Sequence, residues 1–274
     1  MKSKISNFIT ALKAEHIKKR GTGMYYNSAV MGVISPILFF IVLLIESTDE
    51  IKAELPFNYY LKFIENALQP FAYFFFPLLI IITVSRITQL DHKNGGWQLM
   101  ETQPIHKFSI YFSKFCTVLI ANVISIVFFI FFSVLCAWLL NSFVTAPKMA
   151  VMELPLLEII HITTRLFVAS LLITVIQFVI SVLISSFIWS VLIGFFGLLL
   201  TLFLKPFDLV PVWYPYEILS KIAVNHKGSD LGYWFTFTEY ISVTLSIILL
   251  YTGFQWYRHK TLKLAFNSGS KISK

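Results

Sequence analysis

Charge is scarce in this chain and absent where it would count most. Only 13% of the 274 residues are Asp, Glu, Lys or Arg, against roughly a quarter in soluble globular domains. Six apolar stretches, at 28–45, 67–85, 115–140, 166–184, 187–204 and 241–257, carry no charged residue at all. Ion-coupled carriers usually keep Asp, Glu, His or Arg at membrane depth as relays, at a cost of about 2.5 kcal/mol or more each, so their absence here weighs against a secondary transporter. An intramembrane enzyme is disfavoured in the same way, because the stretches offer Ser and Thr but no His, Asp or Glu to activate them. There are two cysteines, Cys116 and Cys136. They fall on one predicted helix, ~30 Å of helical rise apart, too far to pair. No metal-ligand spacing, no H-E-x-x-H and no G-x-x-x-x-G-K-[ST] occurs, so the chain has no loop to cradle ATP phosphates.

What is present is apolar. Hydrophobic residues make up 57% of the chain and the mean hydropathy is +0.76. About 20 apolar residues span a bilayer core as a helix. Continuous runs of that length suit helices rather than the short alternating strands of barrels. The expected fold is an all-α integral membrane protein, a single domain over 1–274 with six transmembrane helices. The opening segment MKSKISNFITALKAEHIKKR is charged and amphipathic and has no small-residue cleavage site, so it reads as a surface helix over 2–20 and not as a cleavable leader. Its expected apolar stripe is Ile5, Phe8, Ile9, Leu12 and His16, lying in the membrane interface. A plain basic anchor is the alternative.

Placing both termini in the cytoplasm puts 15 of the 22 Lys and Arg and three of the 14 acids inside, a net +12, and leaves a net −4 outside. Lys and Arg near span ends favour the cytoplasmic side, so this orientation is selected. The overall +8 then reflects topology and attraction to anionic lipid, at ~1 kcal/mol per basic group near the surface. No nucleic-acid partner is needed to explain it.

Three regions carry candidate function. The inner connection 86–114 holds the turn Asn94-Gly95-Gly96 and Pro104, with Asp91, Trp97, Glu101 and Lys107 offering charge and one large aromatic to a soluble partner; the alternative is an ordinary solvated loop. The third apolar run extends from about Ile110, so Tyr111 and Lys114 are expected either in a tilted helix or in the interface, joining loop and helix rigidly. On the fourth span Ser170, Thr174, Gln177, Ser181 and Ser185 share one face, either as helix-packing contacts or as the lining of a transport path. The outer loop 205–238 sets Pro206, Pro211 and Pro215 among Trp213, Tyr214 and Tyr216, which predicts short helices re-entering the outer leaflet before the last span, or a static aromatic belt. Glu158, His161 and Arg165 also share an outer helical face, an arrangement more usual of solvated helix ends than of a site.

The whole plan resembles the membrane subunits of the ABC-2 class of ABC transporters. The residues that carry the resemblance are the charged entry Glu15-His16-Ile17-Lys18-Lys19-Arg20, the loop Trp97-Gln98-Leu99-Met100-Glu101-Thr102-Gln103-Pro104 followed by Tyr111-Phe112-Ser113-Lys114, and the Pro-aromatic loop before the last helix. Within that class the entry, with Glu15, Lys18 and Arg20, is similar to the permeases of lantibiotic and bacitracin-type immunity exporters. The resemblance implies a bacterial plasma-membrane permease that binds no cofactor itself. It implies two copies of a separate ATPase carrying ATP and Mg, and a second permease subunit, identical or related. It assigns coupling to the ATPase to Glu15, Arg20, Asp91, Trp97, Glu101, Pro104 and Lys107, a path lining to Ser170, Thr174, Gln177 and Ser181, and an outer gate to Pro211, Trp213, Tyr214 and Pro215. A non-transporting scaffold on the same plan is the competing expectation.

Overall fold

A computed structural model of the chain describes residues 2–19, 21–45, 57–92, 105–143, 150–225 and 234–272. Helix α1 (Lys2–Lys19) precedes six helices or composite helices long and apolar enough to cross a membrane. The spans are α2 (Met24–Ile45), the run of α3 (Tyr59–Pro70), a π-helical turn (Phe71–Phe75) and α4 (Phe76–His92), then α5 (Lys107–Phe143), α6 (Leu156–Leu183), α7 (Phe187–Leu204) and α9 (Phe237–Ile272). The short α8 (Pro215–Asn225) lies between the last two. The molecule is a multi-pass, all-helical membrane protein, apart from a two-residue parallel pairing of β1 (Phe57–Asn58) with β2 (Ala150–Val151).

Burial separates two kinds of apolar face. The composite second span and α6 are central, with Phe71, Phe76, Leu79, Ile80, Leu172 and Phe178 almost wholly enclosed. The outer helices turn Ile41, Val127, Phe131, Trp189, Phe196 and Phe203 outward, a rim that is stable only where lipid covers it. α2 packs along α5, α9 along α6, and α7 against α4. In this α2–α5 packing Gly32 has no room for a side chain, since a Cβ there would stand 2.3 Å from the Ser125 carbonyl oxygen. Small residues allow such contacts between membrane helices.

The second span is longer than its apolar run because α3 is an amphipathic extension. Asn58 caps it, accepting from Leu61 N–H at 3.0 Å and donating to the Glu153 carbonyl at 2.7 Å. Pro70 and Pro77 each withdraw a backbone donor on either side of the π turn, which closes with Phe76 N–H on the Phe71 carbonyl. Such turns appear where the regular ladder is interrupted. Here it seats Phe71 between Phe76 and Phe129, with ring centroids 5.1 and 4.3 Å away.

Before the last span, α7 ends in a 3-10 turn (Lys205–Phe207) closed by Asp208 in the left-handed region, φ 55°. α8 then starts with Pro215 at its first position, where the missing N–H costs nothing. It buries Tyr216, Ile218, Leu219, Ile222 and Ala223 against α6, α3 and the π turn.

Candidate functional site: a buried ion cluster at the α1 end

Five charged side chains meet where α1 crosses the ends of α4 and α5. Lys114, with a side chain 0% exposed, reaches Glu15 Oε1 at 2.7 Å and also bonds Asp91. Lys18 lies 3.3 Å from Glu15 and 3.4 Å from Asp91. Lys19 Nζ stands 2.9 Å from Glu15 Oε2, at ion-pair distance but without hydrogen-bond alignment. Burial alone would raise the Glu15 carboxyl, but Lys114, then Lys19 and Lys18, more than offset it and bring it from 4.5 down to about 2. Lys19 behaves oppositely, because its burial outweighs the pull of Glu15 and lowers it. A buried ion pair gains little over an apolar contact, whereas loss of one partner strands a charge. The cluster therefore fixes geometry, clamping the surface helix to two spans at once.

The face of α1 that packs on the spans is distinct from the stripe expected to meet the membrane, of which the Ile5 side chain lies outside the described residues. Ala11, Glu15 and Lys19 form the enclosed face, Phe8 and Leu12 are half-buried beside it, and Ile9, His16 and Ile17 face outward. Lys114 and Tyr111, at the start of the third span, are enclosed by protein. Tyr111 is fully buried in an aromatic knot with Phe178, Phe254 and Tyr257, at centroid distances of 5.0, 5.5 and 5.6 Å.

Of the seven coupling candidates, Glu15 and Asp91 thus come together, and neither faces outward. Lys107 lies apart, at the start of α5, on the rim of a cavity of 730 Å³ formed with Phe8, Phe108, Phe254 and Arg258. Arg20, Trp97, Glu101 and Pro104 lie outside the described residues. Lys114 and Lys19 were not among the sequence candidates. The signal for Lys114 was a lone cation set just ahead of a long apolar run.

The polar face of the fourth span turns into the chain's own packing. Gln177 Nε2 donates to Ser85 Oγ at 3.0 Å and to the Ser190 carbonyl at 2.9 Å, and Ser181 meets Ser190 at 2.5 Å. Asn122 Nδ2 donates to Thr174 Oγ1 at 2.9 Å, while Thr174 and Ser170 bond back to their own helix. Ser170, Thr174, Gln177 and Ser181 are each at most 1% exposed, so within the chain this face packs helices and borders no open polar passage.

At the far end Pro211 and Trp213 are exposed and Tyr214 and Pro215 half-buried. Tyr214 and Tyr216 donate to the carbonyls of Gly197 and Gly194, at 3.0 and 2.8 Å. Trp213, Tyr214 and Pro215 roof an apolar cavity of 390 Å³ whose floor includes Gln177, which brings the gate candidates and one residue of the polar face together. The Glu158, His161 and Arg165 triplet disperses. Arg165 Nε bonds the buried Glu239 at 2.7 Å, Glu239 also accepts from Thr236 Oγ1 at 2.8 Å as the start of α9, and His161 meets the Trp234 carbonyl at 3.0 Å.

A six-span helical membrane protein with a surface helix ion-locked to its second and third spans is the class that fold and site define. The chain belongs to the ABC-2 family of transporter proteins, whose family model matches residues 11–201, from the middle of α1 to near the end of α7. No curated protein and no solved structure matches the chain significantly.

Proposed function

We propose that the chain is the permease subunit of an ATP-driven ABC exporter in a bacterial plasma membrane, with both termini cytoplasmic, moving a hydrophobic or amphipathic substrate such as an antimicrobial peptide. Two copies of a separate ATPase bind ATP and Mg and dock at the α1 end, and a second permease subunit, identical or related, completes the path. The observation that carries this reading is the ion cluster. A force applied to α1 reaches α4 and α5 through Lys114 and its two carboxylates. The family match supports transport, and the charge asymmetry of +12 against −4 supports the orientation.

The test is affinity purification of the tagged chain from its native host. An ATPase with a phosphate-binding loop is expected to co-purify, and Lys107→Glu, at the rim of the cytoplasmic cavity, is expected to cut the recovered ATPase activity about tenfold, since a like-charge or lost contact at an interface costs ~1.5 kcal/mol or more. The amount of chain in the membrane should not change. A chain recovered without any ATPase under conditions that preserve membrane complexes would favour a scaffold instead.

A further inference from the structure

We infer that the apolar cavity between α6, α7 and α9 binds a neutral, lipid-soluble ligand with a hydrocarbon body and one O–H or N–H donor. The cavity measures 390 Å³, with walls that include Leu172 and Ile176 of α6, Ile193 of α7 and Leu249 of α9. Tyr214 and Tyr216 fix its roof to α7 through their hydrogen bonds to the Gly197 and Gly194 carbonyls. Gly197 leaves room for that roof, since a Cβ there would stand 2.9 Å from the Tyr216 ring. No Asp, Glu, Lys, Arg or His is among the described lining residues.

Gln177 gives this apolar space its one point of polar recognition. Its Nε2 is committed to Ser85 Oγ and to the carbonyl and hydroxyl of Ser190. A carbonyl only accepts, so the Ser190 bond fixes which end of the amide is which. Oε1 is left on the other side, next to Gly194, where a Cβ would stand 2.4 Å from it, and both residues line the cavity. Among the described residues nothing donates to this oxygen. Unlike the sealed and unpaired Asn122 Oδ1, it retains accessible surface, although Gln177 as a whole is 1% exposed. An acceptor left unpaired at membrane depth is costly, and a ligand donor in the cavity would relieve that cost.

The same features define the occupant. Apolar walls with one well-placed polar group are the usual make-up of a small-molecule site, and the volume lies near the small end of the range for such sites. It suits one alkyl chain or a compact apolar ring system and not a folded peptide. A phospholipid headgroup would bring charge to a space that holds no counter-charge. Ile193 and Trp213, at 42% and 59% exposure, border the cavity on the outward rim that lipid covers, so the ligand enters from the bilayer. The inference goes beyond the exporter reading: it depends only on the chain spanning a membrane and holds whether or not an ATPase binds.

The experiment is photolabelling of the full chain in lipid nanodiscs with a diazirine-bearing octanol and with its methyl ether, which has the same body but no donor. Labelled residues are mapped by mass spectrometry. The alcohol should label 172–180 or 193–197 saturably and at least about fivefold more than the ether, because the ether leaves Gln177 Oε1 unpaired. Gln177→Met should bring the two probes to equal labelling there. Leu249→Trp, which fills the cavity from α9 without touching the Gln177 bonds, should abolish labelling by both. Equal labelling by the two probes in the wild-type chain would overturn the inference, and that comparison needs no variant to fold. Labelling of these segments that does not saturate, or that persists undiminished in Leu249→Trp, would overturn it as well.

Discussion

Lys114 ties α1 to the second and third spans. It is enclosed, it bonds two carboxylates, and those carboxylates belong to different helices. Lys114→Met leaves Glu15 and Asp91 facing each other with only the half-exposed Lys18 between them, and breaking a buried pair in this way costs about 3–5 kcal/mol. The melting temperature of the detergent-solubilised variant should fall accordingly. Adding Asp91→Asn should restore part of the loss, because the amide carries no stranded charge while Glu15 keeps Lys18 and Lys19. If the double variant melts no higher than Lys114→Met, the cluster is not the source of the cost. The pH response follows from Glu15. Its carboxyl lies at about 2 in the folded chain against an ordinary 4.5, so the unfolded chain takes up its proton first as pH falls. The stabilisation, about 3 kcal/mol for a shift of this size, is fully present above pH 4.5 and is lost as pH falls towards 2. About half should be gone by pH 3. The difference in stability between wild type and Glu15→Gln should therefore shrink between pH 5 and pH 3, and a difference independent of pH would mean that Glu15 is not held ionised.

At the scale of elements, close approach is specified by a few small residues. Gly32→Val would drive a branched side chain into the Ser125 carbonyl, 2.3 Å from its Cβ, and into Phe128. Overpacking costs of order 1–3 kcal/mol. The expected readout is a lower melting temperature together with faster proteolysis in the connection after α2, and unchanged values would show that α2 is not held there. The spans themselves were legible from run length and lack of charge, because lipid imposes that requirement on each helix alone. What surrounded them was less so. The extension of the second span back to Tyr59 was missed because α3 carries Lys62 and Glu65 and reads as a solvated segment, although Glu65 is buried. The enclosed face of α1 was not legible for a related reason. Periodicity identifies an apolar face but cannot say whether protein covers it, and here exposed Ile9 and Ile17 lie opposite a protein-facing Glu15. The polar face of α6 was visible as a pattern, yet its partners Ser85, Asn122 and Ser190 sit on three other helices, and a pairing of that kind has no local signature.

For the molecule as a whole, function turns on which end faces the cytoplasm, since an ATPase can reach only that side. Five spans separate α1 from the turn after α7, an odd number, so the two lie on opposite membrane faces. The excess of basic residues gathers at the α1 end, and each favours the inner leaflet. The prediction uses a chain without its own thiols, Cys116→Ser with Cys136→Ala, carrying either Lys13→Cys in the exposed face of α1 or Leu209→Cys, where the native side chain is 65% exposed. An impermeant maleimide added to intact cells should label Leu209→Cys and leave Lys13→Cys unlabelled until the membrane is opened. The reverse pattern would place the ion cluster and the 730 Å³ cavity outside the cell, where no ATP is available to a docked partner, and would remove the exporter reading while leaving the fold intact. Labelling of both from outside would instead mean that one of the six apolar helices does not cross, with α2 the first to test because it is among the least enclosed of the spans.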